Sequence, residues 1–421
     1  MSRKIMNFVT EKVCQNSSAK SGKFTKDSSS FPTPLLLQTT KGGSIPHLAK
    51  EVYEYVTTDQ PFLQISLSNT EQMRESLDAF EKGIAKFVGF PSSPTFLVMK
   101  SPTEISPSGF NEGGASPLFG RKGKELLTPE KYIKLVEVFQ PDMYHSLPDS
   151  DTNIDSSKKR LRKSLIRNLD FFENSLEIHK TSERLSKSMF FAPIVGGFCK
   201  ITRTECVKLM KPRFSDVDGF LIDGLHNNGA HASKLELSSL KEIVSHTIEE
   251  LGEKEKPKVM VGAYSPLAVL EMIKLGVDVF DSSYVYIASK NFKALTFNFD
   301  LNTESKVNEF ALDLSDPKYK EDFSPLLDNC TCLTCTKHTK AYINHLIVTK
   351  ELLAPILLMI HNTKHYLNYF EAIRKSVQND NIQEMITLLE SQVAEQDIED
   401  SFEGRNSESD QVEAKKRKLA S

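Results

Sequence analysis

Eight short apolar runs recur between amphipathic segments, and this alternation constrains the fold more than any other property of the chain. The runs are PLLLQ at 34–38, PFLQISL at 61–67, TFLVMK at 95–100, DMYHSL at 142–147, FFAPIVGG at 190–197, GFLIDG at 219–224, KVMVGAY at 258–264 and VDVFDSSY at 277–284. Near-continuous apolar runs suit strands that are covered on both faces. The segments at 70–90, 128–139, 234–252 and 265–276 repeat apolar residues at three- and four-residue steps, as helices do. Thr128-Pro129-Glu130 and Ser265-Pro266 carry helix-start chemistry. Strands alternating with helices mean a parallel α/β architecture, and eight strands close a (β/α)₈ TIM barrel. An open doubly wound sheet is the competitor. It is weakened by the absence of a Gly-x-Gly-x-x-Gly after the first strand.

The ends differ from the middle. Residues 1–31 are expected to hold an N-terminal strand and a polar loop, since 15–31 is serine-rich. The barrel with its insertions spans 32–327, a zinc-binding subdomain with C-terminal helices 328–395, and a disordered tail 396–421. Within 286–327 apolar and polar residues alternate as in antiparallel strands, while 341–348 and 351–377 read as helices. The formal net charge is −3, so any nucleic-acid contact must use a local patch. The first residues lack a signal-peptide core, and no run is long and apolar enough to span a membrane.

Three of the six cysteines sit together as Cys330-x-Cys332-x-x-Cys335. Thiolates this close repel one another unless a cation holds them, and zinc accepts three cysteines and one histidine tetrahedrally. Four protein ligands leave no open position for water, so the site is structural. The nearest later imidazoles on a helical pattern are His361 and His365. Free or disulfide-bonded cysteines are the alternative. A second cluster, Lys158, Lys159, Arg160, Arg162, Lys163 and Arg167, falls within about three helical turns and could track phosphates; a solvated basic face is the plain alternative. Lys415-Lys416-Arg417-Lys418 has the composition of a nuclear-import signal.

The cysteine loop, followed by TKAYINHLIVTKELLAPILLMIHNTKHY, resembles the tRNA-guanine transglycosylase family. Further shared pieces are LLTPEKYIKLVEVFQPD (126–142), PIVGG (193–197), GFLIDGL (219–225) and LGVDVFDSS (275–283), so the resemblance covers roughly residues 32–380. It implies a barrel, one structural Zn²⁺ per subunit, and His361 as the fourth ligand beside Cys330, Cys332 and Cys335. It puts Asp281 on the position of the family's nucleophilic aspartate. Around Asp281 the chain departs from the catalytic pattern. Ser282-Ser283-Tyr284-Val285-Tyr286 replaces the family's Cys-Val-x-Pro-Thr-Arg. ISPSGFNEG at 105–113 has no aspartate where the family's acid/base loop has one, and the base-reading glutamine is missing from Pro193-Ile194-Val195-Gly196-Gly197. Asp223-Gly224 stands for paired glycines, and Asp149 and Asp151 are out of register. One carboxylate without its partner acid and base reader cannot exchange a base. The resemblance therefore implies a non-catalytic accessory subunit, paired with a catalytic subunit that inserts queuine at the wobble position of tRNAs with a GUN anticodon. An active transglycosylase using Asp281 is the alternative reading, and a zinc-stabilised tRNA-binding module without a partner is a third. The family context implies the cytoplasm, with an association at the mitochondrial outer membrane expected of eukaryotic accessory subunits.

Overall fold

The barrel interior is built from alternate residues of the apolar runs. A computed structural model of the chain describes residues 5–302 and 309–393. Three N-terminal strands come first, β1 (Met6–Val13), β2 (Lys20–Lys26) and β3 (Ser29–Thr33), joined as an antiparallel sheet. The barrel then begins with β4 (Leu35–Thr39), β5 (Leu63–Ser66) and β6 (Thr95–Val98). A hairpin of β7 (Ser116–Gly120) and β8 (Gly123–Leu127) interrupts it. The barrel resumes with β9 (Met143–His145), β10 (Met189–Ile194), β11 (Gly219–Ile222), β12 (Lys258–Val259) and β13 (Val279–Asp281). All eight apolar runs supply a strand. The strands close as β4-β5-β6-β9-β10-β11-β12-β13, with β13 pairing parallel to β4.

Side chains alternate across each strand. Leu35, Leu37, Phe96, Val98, Met143, Phe191, Leu221, Val259 and Val279 fill the interior. Leu36, Ile65, Leu97, Tyr144, Phe190, Ile222 and Phe280 face outward into the larger core under the helices. Along the inward face the next positions are polar: Thr39, Gln64, His145 and Asp281, all buried. The apolar plug thus gives way to a polar layer at the C-terminal ends of the strands, where barrel chemistry resides.

The expected helix starts are in place. Thr128 Oγ1 accepts from Lys131 N, and Ser265 Oγ from Ala268 N, each followed by proline at the first helical position. Three expectations are corrected. The serine-rich stretch is largely β2 and β3, because Phe24 and Phe31 bury against Phe62 at the barrel floor. Gly22 allows this: a Cβ there would lie 2.5 Å from Val9 O on the neighbouring strand. The segment 286–327 is only partly strand. It starts inside the buried helix Ser283–Lys290, and β14 (Lys293–Leu295) then pairs antiparallel with β15 (Ala311–Asp313). The helical pattern of 70–90 is broken, with Glu81 and Gly83 both left-handed between Arg74–Phe80 and Gly83–Phe87.

The helix Leu353–Gln378 shares the barrel's core through Met359, Ile360, Tyr366, Tyr369 and Phe370. It also meets the N-terminal sheet. Lys12 Nζ bonds Asp380 Oδ2 at 2.7 Å, Gln15 N bonds Asp380 Oδ1 at 2.9 Å, and Cys14 Sγ faces Val377 O at 3.2 Å. The tail from 396, with its basic run Lys415–Lys418, lies outside the described residues.

Candidate metal centre and barrel mouth

Cys332 caps the short helix Leu333–Lys337, accepting from Cys335 N at 3.3 Å, and this turn brings Cys330, Cys332 and Cys335 to one side. His361 reaches them from the helix Leu353–Gln378. Its Nδ1 lies 3.8, 3.6 and 3.3 Å from the three sulfurs, and the four ligand atoms all lie within 4.8 Å of one another. A tetrahedral ion with metal–sulfur bonds of about 2.3 Å and a metal–nitrogen bond of about 2.0 Å separates sulfur from nitrogen by about 3.6 Å. The spacing fits such an ion. His361 Nε2 lies 2.9 Å from Leu295 O, which can only accept, so Nε2 carries the proton and Nδ1 presents its lone pair to the sulfurs. Asn362 secures the neighbouring turn. It accepts from Leu295 N and donates to Ser289 Oγ and Lys293 O. Hydrogen bonding within the cluster pushes the pKa of the Cys330 thiol far down and that of Cys335 far up. One divalent ion would replace that imbalance.

The other imidazoles stand aside. His365 faces Phe297 and Phe299, and burial in this apolar surround pushes its pKa down to about 3. His345 is exposed, and His338 stacks on Tyr342.

At the barrel mouth, Asp281 is 3 % exposed and both its oxygens are taken. Oδ2 accepts from Gly262 N at 2.7 Å and Gln64 Nε2 at 3.2 Å. Oδ1 accepts from Ser283 N at 2.8 Å and lies 3.3 Å from Thr39 Oγ1, whose one proton also has Gln64 Oε1 at 3.0 Å. Burial raises its pKa, with the hydrogen bonds from Ser283, Gly262 and Gln64 pulling the other way. A nucleophile needs a lone pair aimed at the reacting carbon. This carboxylate is instead the hub linking β4, β5, β12 and β13. Beside it, His226 accepts from Asn228 N through Nδ1 and so donates through Nε2 to Tyr264 Oη at 2.9 Å. Burial lowers its pKa to about 4, and the ring is neutral. His145 is likewise neutral, donating to Ser146 O and accepting from Met99 N.

The displaced acids Asp149 and Asp151 have partners that the sequence does not announce. Arg160 forks onto both oxygens of Asp149, Arg167 Nη1 adds a third contact at 3.4 Å, and Arg160 Nε donates to Asp151 O at 2.9 Å. Arg160 and Arg167 therefore turn inward from the basic helix Lys158–Thr181. Lys158, Lys159, Arg162 and Lys163 remain exposed, with Arg162 3.8 Å from Glu205. Asp151 accepts from Ser108 Oγ, Gly109 N and Asn111 Nδ2, all in the segment that replaces the family's acid/base loop. Asp223 is half-buried, and its Oδ1 accepts from Gly224 N. Arg203, fully buried, ties Gly197 O, Ile194 O and Asp223 O together. The altered register of LPDSD was the one visible sign of this network; its arginines lie too far along the chain for a local motif.

A protein-family model described as "Queuine tRNA-ribosyltransferase" matches residues 14–394. The chain is 44% identical over 404 residues to "Queuine tRNA-ribosyltransferase accessory subunit 2" of Drosophila virilis, covering 95% of this chain and 96% of that protein. It is 43% identical over 364 residues to the protein of the same description from Aedes aegypti, covering 86% of each. The Drosophila melanogaster relative, also so described, is 44% identical over 394 residues, 92% of this chain and 93% of its own length.

Proposed function

Because the chain belongs to the queuine tRNA-ribosyltransferase family, we propose that it is the non-catalytic accessory subunit of a heterodimer that exchanges guanine for queuine at the wobble position of GUN-anticodon tRNAs. The observation that carries this reading is the state of Asp281. The retained carboxylate is buried and both its oxygens accept from N–H donors, those of Gly262, Gln64 and Ser283. The relatives' shared description as accessory subunit 2 points the same way. The alternative, an active enzyme using Asp281, would have to break this hub before each turnover.

The ion is assigned as one structural Zn²⁺ held by Cys330, Cys332, Cys335 and His361. The donor set and the buried histidine with its backbone acceptor support that choice. When bound, the ion fastens the cysteine turn to the helix Leu353–Gln378. The partner contact is assigned to the edge of this arm. The long helix itself buries its apolar face in the barrel. What protrudes is the neighbouring turn and loop: Val348 at 68%, Leu352 at 80% and Phe323 at 76% exposure, with Tyr342 beside them. The tRNA backbone contact is assigned to Lys158, Lys159, Arg162 and Lys163, the exposed members of the basic helix. No helix among the described residues is long and apolar enough to cross a membrane. The cytoplasm is the proposed site of action, and an association with the mitochondrial surface would be peripheral.

Guanine exchange into cognate tRNA tests the reading. The purified chain given radiolabelled guanine should incorporate none, and incorporation should begin once the catalytic subunit is added. Asp281→Asn in this chain should leave the heterodimer's incorporation unchanged. Incorporation by the chain alone, abolished by Asp281→Asn, would overturn the proposal.

A further inference from the structure

The segment after β6 crosses the mouth of the barrel. Around the eight-strand ring, β6 and β11 stand three places apart, in the order β6, β9, β10, β11. Yet the residues leaving β6 are bonded to the loop that follows β11. Gly229 N donates to Pro102 O at 3.0 Å, Ser106 N to Asn227 O at 2.8 Å, and Asn228 Nδ2 to Ser106 Oγ at 3.3 Å. The approach is close, since a Cβ on Gly229 would lie 2.8 Å from Ile105 Cγ1. A second tie runs to the segment after β4, where Lys41 Nζ meets Glu104 Oε1 at 2.9 Å. The third is Asp151, after β9, which accepts from Ser108 Oγ at 2.6 Å, Gly109 N at 2.9 Å and Asn111 Nδ2 at 3.0 Å. The segment is thus fastened at three points of the rim.

Its outer and inner sides differ. Ile105 and Phe110 are 55% and 42% exposed, whereas Thr39, Gln64, His145 and Asp281 beneath are buried. The three ties are unequal. Asp151 alone gathers donors from three residues of the segment, through a charged acceptor, and such bonds are the stronger kind. Its own backbone is held from the barrel side by Arg160 Nε. The Asp151 side chain is itself buried, so the donors of the segment enclose its carboxylate. Gly109 and Gly114, both in the left-handed region at φ 89 and 80, give the segment its bends.

We propose that residues 101–114 are a latched lid over the barrel mouth and that the Asp151 carboxylate is its catch. The closure is a property of this chain by itself, beyond the accessory role. The polar layer around Asp281 is shut off by a movable cover as well as altered in composition.

Amide hydrogen exchange on the full chain, without a partner, tests this. In the parent protein, peptides covering 36–41, 260–264 and 281–284 should exchange slowly. Ser108→Ala with Asn111→Ala removes two donors of the lid, one from an exposed and one from a half-buried position. It should speed exchange of those three peptides at least tenfold while peptides of Leu353–Gln378 keep their rates. Asp151→Asn should give the same pattern more weakly, since it keeps one acceptor. Unchanged floor rates in both variants would overturn the lid. A rise shared equally by the floor and by Leu353–Gln378 would overturn the catch, making these side chains supports of the whole fold.

Discussion

Single residues in this chain change meaning with direction. Arg160 and Lys159 are neighbours in one basic run, yet Arg160 forks onto the fully buried Asp149 while Lys159 stands in solvent. Removing the only partner of a buried charge costs about 3–5 kcal/mol, and Asp149 would keep Arg167 at 3.4 Å. Arg160→Ala should therefore lower unfolding stability by about 1–3 kcal/mol, the cost of a lost charged hydrogen-bond partner, seen as a shifted urea midpoint. Lys159→Glu with Lys163→Glu should stay within about 0.5 kcal/mol of the parent. The lysine pair should instead weaken tRNA binding and flatten its salt dependence. A tRNA affinity that fell with Arg160→Ala and not with the lysine pair would reverse the assignment. The spacing of the basic residues was legible in the sequence, but their direction was not. Whether an arginine faces solvent or a carboxylate depends on where β9 ends, and Asp149 lies outside the helix altogether.

Elements were read more surely than residues. Each barrel strand is covered on both faces, so its apolar run is unbroken and stands out even at three or four residues. Helix starts with a hydroxyl cap and proline were equally plain. The N-terminal strands were hidden because serine and lysine dominate them, and their pairing rests on Phe24, Phe31 and one close approach at Gly22. The cysteine turn was legible as metal chemistry because its ligands are local. The choice between His361 and His365 needed either a resemblance or the fold, where the two rings share a helix but face different neighbours. This element carries its own prediction. Stripping the ion with a chelator, or Cys332→Ala, should abolish a one-to-one zinc content by elemental analysis. Exchange should then quicken in residues 328–340 and in the turn around His361, because metal-binding energy is folding energy for such a loop. A chain that keeps its zinc after Cys332→Ala would refute the ligand set.

At the scale of the whole molecule, the barrel and its C-terminal arm share one core, and the proposed partner contact is the arm's exposed edge. Leu352→Asp with Val348→Asp places charge on that edge at two exposed positions. It should abolish heterodimer formation in sedimentation experiments and leave the melting temperature of the isolated chain within about 2 °C. A heterodimer that survived both substitutions would move the interface elsewhere. The tie between Gln15 and Asp380 has a different consequence, with a sequence separation of 365. During synthesis at about 5–20 residues per second, the amino-terminal strands wait roughly 20–70 s for the helix they dock on. Throughout that interval a nascent chain on the ribosome displays the β1–β3 sheet without the C-terminal segment that ties down its edge. Messages cut short before the final helices should therefore yield products that chaperones retain and proteases clear, whatever the intactness of the barrel segments they encode.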